Sequence, residues 1–104
     1  MSEEKIIVTR DRETVVIRII GNFDTAITPV LSGHCERISR DKTAKKILLD
    51  FQDVTRIDTS AFACMVGFMR DHLKEGIEIY LKNLKDTHKN YVEILKLSKI
   101  IKVV

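Results

Sequence analysis

Apolar positions along this chain follow two different rhythms, and the switches between them mark the elements. Residues 5–9 and 14–20 are dense in β-branched side chains, which suit the pleated, half-buried surface of a strand. The charged residues 10–13 between them read as a turn, so the two runs predict a hairpin, with Gly21-Asn22 ending its second strand. From 26 to 40 the rhythm changes. Val30, Leu31, Cys35 and Ile38 recur at helical spacing, with Thr25 or Thr28 as N-cap and Pro29 in the first turn. Residues 47–51 (Ile-Leu-Leu-Asp-Phe) read as a buried strand apolar on both faces, as at a central sheet position, and 52–58 as a loop. A second helix is expected over 59–74, stopped by Gly76. A strand over 77–81, a third helix from Asp86 or Thr87 to about Leu97, and a short strand over 100–104 complete the pattern. Helices alternating with strands imply crossover connections. The predicted fold class is α/β: a mixed β-sheet in the order β-β-α-β-α-β-α-β, with an N-terminal hairpin edge and helices packed on it. No repeat or linker divides the chain, so residues 1–104 are expected to form a single domain.

Composition adds exclusions. Hydrophobic residues are 44% and charged residues 32% of the 104, the balance of an ordinary globule. The net charge of +3 is not spread evenly. Residues 1–73 carry 11 basic and 11 acidic side chains, whereas 74–104 carry seven lysines and four acids. Those C-terminal lysines, Lys82, Lys85, Lys89, Lys96, Lys99 and Lys102 among them, are interspersed with apolar residues. They lack the clustered stripe and interleaved aromatics of a nucleic-acid face, so no direct nucleic-acid partner is expected. No run approaches the roughly 20 apolar residues of a membrane span, and the N-terminus lacks the basic-then-apolar order of a signal peptide. The expected location is cytoplasmic. Cys35 and Cys64 fit no metal spacing and are expected to act as small hydrophobes in helices. His34, His72 and His88 fall on separate helices with no ligand spacing, and no phosphate-cradling glycine loop is present. No metal or cofactor is expected.

Candidate chemistry concentrates where the predicted central strand gives way to the second helix, at Ile57-Asp58-Thr59-Ser60-Ala61-Phe62. Open α/β sheets place their sites at such strand ends. Asp58 suits an N-cap, its carboxylate accepting from free backbone N–H groups, and Thr59 and Ser60 then carry hydroxyls in the first turn. The run is readable as a cap alone or as a phosphoacceptor. A phosphate there would meet the positive end of the helix and add about −1.5 to −2 charges beside Asp58. Along the same helix Phe62, Val66, Met69 and Leu73, widened by Met65, form a stripe for the sheet. Ala61 and Phe68 lie beside it. Ala63, Cys64 and Gly67 make a flat sector among polar residues that include Asp71, the kind of surface a partner can dock against.

Three segments resemble the STAS domain family, typified by bacterial anti-sigma factor antagonists. Gly21-Asn22-Phe23-Asp24 is similar to its Gly-x-Leu-Asp step after the second strand, residues 47–51 to its central strand, and residues 57–62 to its Met-Asp-Ser-Ser-Gly-Leu phosphorylation loop. Leu95-Lys96-Leu97-Ser98-Lys99-Ile100 also resembles the family's ending, so the likeness covers essentially the whole chain. It implies a phosphorylation-controlled module that binds an anti-sigma factor serine/threonine kinase when unphosphorylated and releases it when phosphorylated, thereby regulating transcription. The acceptor position falls on Thr59, with Ser60 as the alternative, flanked by Asp24 and Asp58. Partner contacts are expected at Ala61, Ala63, Cys64, Gly67, Phe68 and Asp71. This chain departs from the family pattern in carrying Thr at the acceptor and Ala61 in place of glycine.

Other readings of the same residues lead elsewhere. Some STAS proteins with Asp-Thr at this position serve as small subunits of ABC-type lipid transport ATPase complexes. Asp24 could cap the first helix or the turn before it. Asp24 and Asp58 could also form an acid–base pair of an enzyme, although no pocket-forming insertion or cofactor motif accompanies them, and the chain is read as a non-enzyme. Tyr80 and Tyr91 are expected to pack. Sequence leaves the oligomeric state open between monomer and weak dimer.

Overall fold

The computed structural model describes residues 6–73, 76–86, 89–90 and 102–104. Two strands, β1 (Ile6–Asp11) and β2 (Thr14–Phe23), form an antiparallel hairpin in which Asp11 faces Thr14. The two-residue turn is entered through Arg12 in the left-handed region, φ 57°, and the Arg10 Nε–H donates to the Arg12 carbonyl at 2.9 Å. The chain continues through α1 (Thr28–Arg40), β3 (Lys46–Ile57), α2 (Thr59–Leu73), β4 (Glu78–Lys82) and β5 (Lys102–Val103). The sheet order is β1-β2-β3-β4-β5, with every neighbour after the hairpin parallel. The predicted α/β class and the hairpin edge are therefore present. Most of the predicted third helix lies outside the described residues, as do Tyr91 and His88.

Each parallel crossover steps the same way across the sheet, so one handedness puts α1 and α2 on the same face. Burial agrees. Val15, Ile17 and Ile19 of β2, Ile47, Leu49 and Phe51 of β3, and Ile79 and Leu81 of β4 are buried together with Leu31 and Cys35 of α1 and Phe62, Met65 and Met69 of α2. The alternate positions form the second face. Val16, Leu48 and Tyr80 run across it in register and are half-buried. Beside them Arg18 pairs with Asp53, and Asn83 Nδ2 donates to Asp50 at 2.9 Å. Lys46 and Lys102 stand over the Tyr80 ring, 4.8 and 5.5 Å from its centre. The Tyr80 hydroxyl donates to Glu78 at 2.6 Å, which with the nearby Lys102 holds that carboxyl below its usual range.

Several expectations are corrected. β3 is central, but among the described residues apolar packing occupies one face rather than both. Gly21-Asn22 does not end β2. The strand runs on to Phe23, with Gly21 at φ +86°, a conformation that a glycine adopts without steric cost. Residues 52–57 are strand rather than loop. The first helix starts at Thr28, capped by Ile27 with no side-chain hydrogen bond, so neither Thr25 nor Thr28 is the N-cap. Thr28 turns inward while Val30 is 53% exposed. Pro29 does occupy the first turn, and Arg37 and Arg40 sit in the last, where cations suit the helix dipole.

The cysteines part company: Cys35 is buried and Cys64 exposed, both free. Burial pushes the Cys35 thiol from 9.0 up to about 12. A disulfide-exchange reagent will therefore label one thiol quickly, Cys64, and Cys35 only on unfolding. Between pH 9 and about 12 the unfolded chain loses the Cys35 proton while the native state keeps it. Native stability should then fall with rising pH, by up to about 1.4 kcal/mol per pH unit relative to a Cys35→Ala variant, as read by urea denaturation.

Candidate phosphoacceptor corner

The corner is built by the extra length of β2 and β3. Their register advances from Arg18↔Asp50 to Ile20↔Asp53, and from Gly21↔Val54 to Asn22↔Arg56. At each step β3 gains one residue on β2, the signature of a bulge that re-aims side chains. Phe23 then lies against Ile57. Its ring is fully buried, 5.8 Å from the centre of Phe51 and 6.4 Å from that of Phe62 in α2. Its carbonyl accepts the Asp58 N–H at 2.8 Å. The Thr55 hydroxyl adds a bond to the Asn22 side chain at 2.9 Å. The end of β2 and the start of α2 are thus locked together.

Asp58 caps α2. Its Oδ1 accepts from the Ser60 and Ala61 amides at 2.8 and 3.2 Å, and its carbonyl accepts from Phe62 at 3.0 Å. Two of the amides that a helix start leaves free are thereby satisfied, and the Phe62 bond is the first of the helix ladder. Asp24 does the same for the preceding turn: its Oδ1 accepts from Ala26 at 3.0 Å and its carbonyl from Ile27 at 3.2 Å. It is the turn, not helix α1, that Asp24 caps. Thr59 and Ser60 follow Asp58 with both side chains exposed.

Asn22, Phe23, Asp24, Arg56, Ile57 and Asp58 surround a shallow cavity of about 240 Å³, under the roughly 300–1,000 Å³ of pockets that enclose a small ligand. The two carboxylates predicted to flank the acceptor are brought to one place. Arg56, which sequence reasoning left without a role, stands with them. Its two-residue spacing from Asp58 is the one signal in the sequence, and it becomes readable only when residues 52–57 are strand rather than loop. A larger cavity of about 590 Å³, lined by Arg40, Asp41, Lys42, Lys45 and Gly76 among others, opens at the other end of the strands. There Arg10 bridges Asp41 and Thr43. The Thr43 hydroxyl, donating to Asp41 at 2.6 Å, leads in lowering the Asp41 carboxyl to about 2.

A model of the STAS domain matches residues 5–104 of this sequence. The chain belongs to the STAS domain family. Solved STAS-like structures superpose on it over most of its length. The anti-sigma factor antagonist SpoIIAA in its unphosphorylated form is 20% identical with a TM-score of 0.77, covering 95% of this chain and 87% of its own. The Bacillus SpoIIAA in the phosphorylated form is also 20% identical, with a TM-score of 0.75, over 95% and 90%. TM1081 of Thermotoga maritima, described as a candidate anti-sigma factor antagonist, is 15% identical with a TM-score of 0.79, over 94% and 84%. At these identities the likeness is one of fold.

Helix α2 of this STAS domain divides into two faces. Ala61, Phe62, Met65, Val66 and Met69 are buried. Ala61 is fully enclosed, so its expected role in touching a partner is corrected: its methyl belongs to the core. Ala63, Cys64, Gly67 and Asp71 are exposed, and Phe68 is half-buried and packs partly against the core. Among the described residues no helix is long and apolar enough to cross a membrane.

Removing the cap should loosen the start of α2. Asp58→Ala is expected to cost about 0.5–2 kcal/mol in urea denaturation. It should also speed hydrogen exchange at the Ser60 and Ala61 amides, while Asp58→Asn retains most of the stability.

Proposed function

We propose that this STAS domain is an anti-sigma factor antagonist, a cytoplasmic binding module rather than an enzyme, switched by phosphorylation of Thr59. The observation that carries this reading is the placement of Thr59, exposed as the first residue of α2 and directly after an Asp58 whose carboxylate is already committed to the helix cap. The hydroxyl is open to an incoming kinase, and the backbone that presents it is held from both sides. Thr59 also continues onto the outward face of α2. Residues four apart share a helix face, so Thr59, Ala63 and Gly67 form one row and Ser60 and Cys64 begin the next, all exposed.

In the unphosphorylated state this low-relief face, with Asp71 at its far end, docks on an anti-sigma factor serine/threonine kinase and so frees the sigma factor. Small side chains let a partner approach the helix closely. A phosphate on Thr59 places about −1.5 to −2 charges and a bulky, strongly hydrated group at the end of that face, and the complex separates. An acid–base role for Asp24 and Asp58 draws no support from the geometry, because each spends an oxygen on capping backbone amides and the cavity between them is small.

The test pairs the chain with the anti-sigma factor kinase of its own organism and ATP. Mass spectrometry is expected to place one phosphate on Thr59 in the wild type and in Ser60→Ala, and none in Thr59→Ala. Thr59→Glu should bind the kinase at least about tenfold more weakly than wild type, a difference of about 1.4 kcal/mol. A Thr59 left unmodified, or a Thr59→Glu variant that binds as tightly as wild type, would overturn the reading. Co-purification with an ABC-type ATPase instead of a kinase would redirect it to a lipid-transport complex.

A further inference from the structure

We infer that Arg56 is the receptor for the phosphate on Thr59, so that the modified corner closes on itself as a guanidinium–phosphate pair. The inference rests on the proposed phosphorylation of Thr59 and adds to it the residue that shapes the phosphorylated state.

Two observations lead to it. The first is that Arg56 makes no side-chain hydrogen bond or ion pair among the described residues, in a place crowded with acceptors. Arg10 is paired with Asp41, Arg18 with Asp53 and Arg40 with Glu36. Arg56 shares a cavity wall with both Asp24 and Asp58, yet among the described residues it makes no ion pair with either carboxylate. Both of those side chains are instead held by backbone amides, at 3.0 Å for Asp24 and at 2.8 and 3.2 Å for Asp58. A guanidinium is always charged and offers five donors in a planar fork, so the corner keeps a bidentate anion ligand in reserve.

The second observation is that most of the usual home for a phosphate at a helix start is taken. The free amides of the first turn normally cradle such an anion. Here the Ser60 and Ala61 amides donate to Asp58 Oδ1, and the Asp58 amide donates to the Phe23 carbonyl. A phosphate on Thr59 cannot recruit them without dislodging the cap. Arg56 is three residues away, so the two Cα atoms are at most about 10 Å apart, a gap that the long arginine and the phosphorylated threonine span between them. Charge-assisted pairs of this kind are short and roughly twice as strong as neutral hydrogen bonds.

The consequence is electrostatic. Asp24 and Asp58 alone would oppose a second negative charge on the phosphate and raise the pH at which it forms. Arg56 works the other way, since an opposite charge within about 4–6 Å favours the ionised form. The phosphate's own second ionisation, ordinarily near pH 6, therefore reports whether Arg56 touches it.

The experiment installs phosphothreonine at position 59 during synthesis, in wild type, Arg56→Gln and Arg56→Lys, and follows the phosphorus NMR signal against pH. Arg56 is exposed, so the variants should keep the fold, and the amide spectrum of each unphosphorylated protein checks that. In the wild type the phosphate should ionise at a pH lower than in Arg56→Gln by about half a unit to one unit, with Arg56→Lys in between. Phosphorylated wild type should also melt higher than phosphorylated Arg56→Gln, with no such gap between the two unphosphorylated proteins. Equal titration in wild type and Arg56→Gln overturns the inference and leaves the proposed function standing. Because no kinase is needed to install the phosphate, a Thr59 that no kinase modifies overturns the proposed function without deciding this one.

Discussion

Phe23 is the constraint on which the rest of the corner depends. Its ring is buried between Phe51 of the central strand and Phe62 of α2, while its carbonyl holds the Asp58 amide. One residue thus joins two kinds of force. Apolar contact fixes the distance between the sheet and the helix, and a backbone hydrogen bond fixes the angle at which β2 ends beside the start of α2. Aromatic packing of this geometry adds to the area each ring buries, and a buried carbonyl without its partner would cost about 1–3 kcal/mol. Residues 22–24 and 56–58 are therefore neighbours by necessity, and the exposed Asn22, Arg56 and Asp58, with the half-buried Asp24, are carried on a buried anchor.

The same economy appears in α2. Every third or fourth residue, from Ala61 through Met69, is committed to the core, and what remains outside is a narrow surface of small side chains. The helix is a strut on one side and a low-relief platform on the other. The charge at the head of that platform differs from what the sequence implied. Asp24 and Asp58 predicted an acidic corner, but Arg56 reduces its formal charge to −1. The chain's overall +3 has little bearing on this place, since exposed charges more than about 8–10 Å away are screened at ordinary salt.

Much of the architecture was legible because burial on one face imposes period two on strands and 3.6 on helices. The stripe of Phe62, Met65, Val66 and Met69 was placed correctly, as was the hairpin edge. What escaped was hidden by departures from those periods. In β3 the buried positions run Ile47, Leu49, Phe51 and then Val54. The three-residue step, made by a bulge, looks like the start of a loop, so the strand's last six residues were missed and with them the alignment of Arg56 beside Asp24. Gly21 misled in a similar way, since its left-handed φ is a turn signal in most contexts and here serves a strand. Ala61 was misplaced because it sits at the edge of the apolar stripe, where one residue's rotation decides between core and surface. The cap of α1 could not be read at all, because its N-cap is Ile27, with no side-chain acceptor.

These features bear on what kind of switch the corner can be. Phosphorylation at a helix start often acts by creating a cap and ordering a helix that was frayed. That route has little to offer here, because Asp58 already caps α2 and Phe62 already pins it to the core. A phosphate on Thr59 would find the helix built and the Ser60 and Ala61 amides occupied. Its charge would take the corner from −1 to about −2.5 or −3, with Arg56 as the near cation available to absorb part of it. The structural response would then be confined to side chains on the surface while β2, β3 and α2 keep their places. On the proposed reading, a partner that recognises this face would read the modification as a change of charge and shape on a rigid platform. Such a switch acts through the interface it alters, and the stability of the domain that carries it need hardly change.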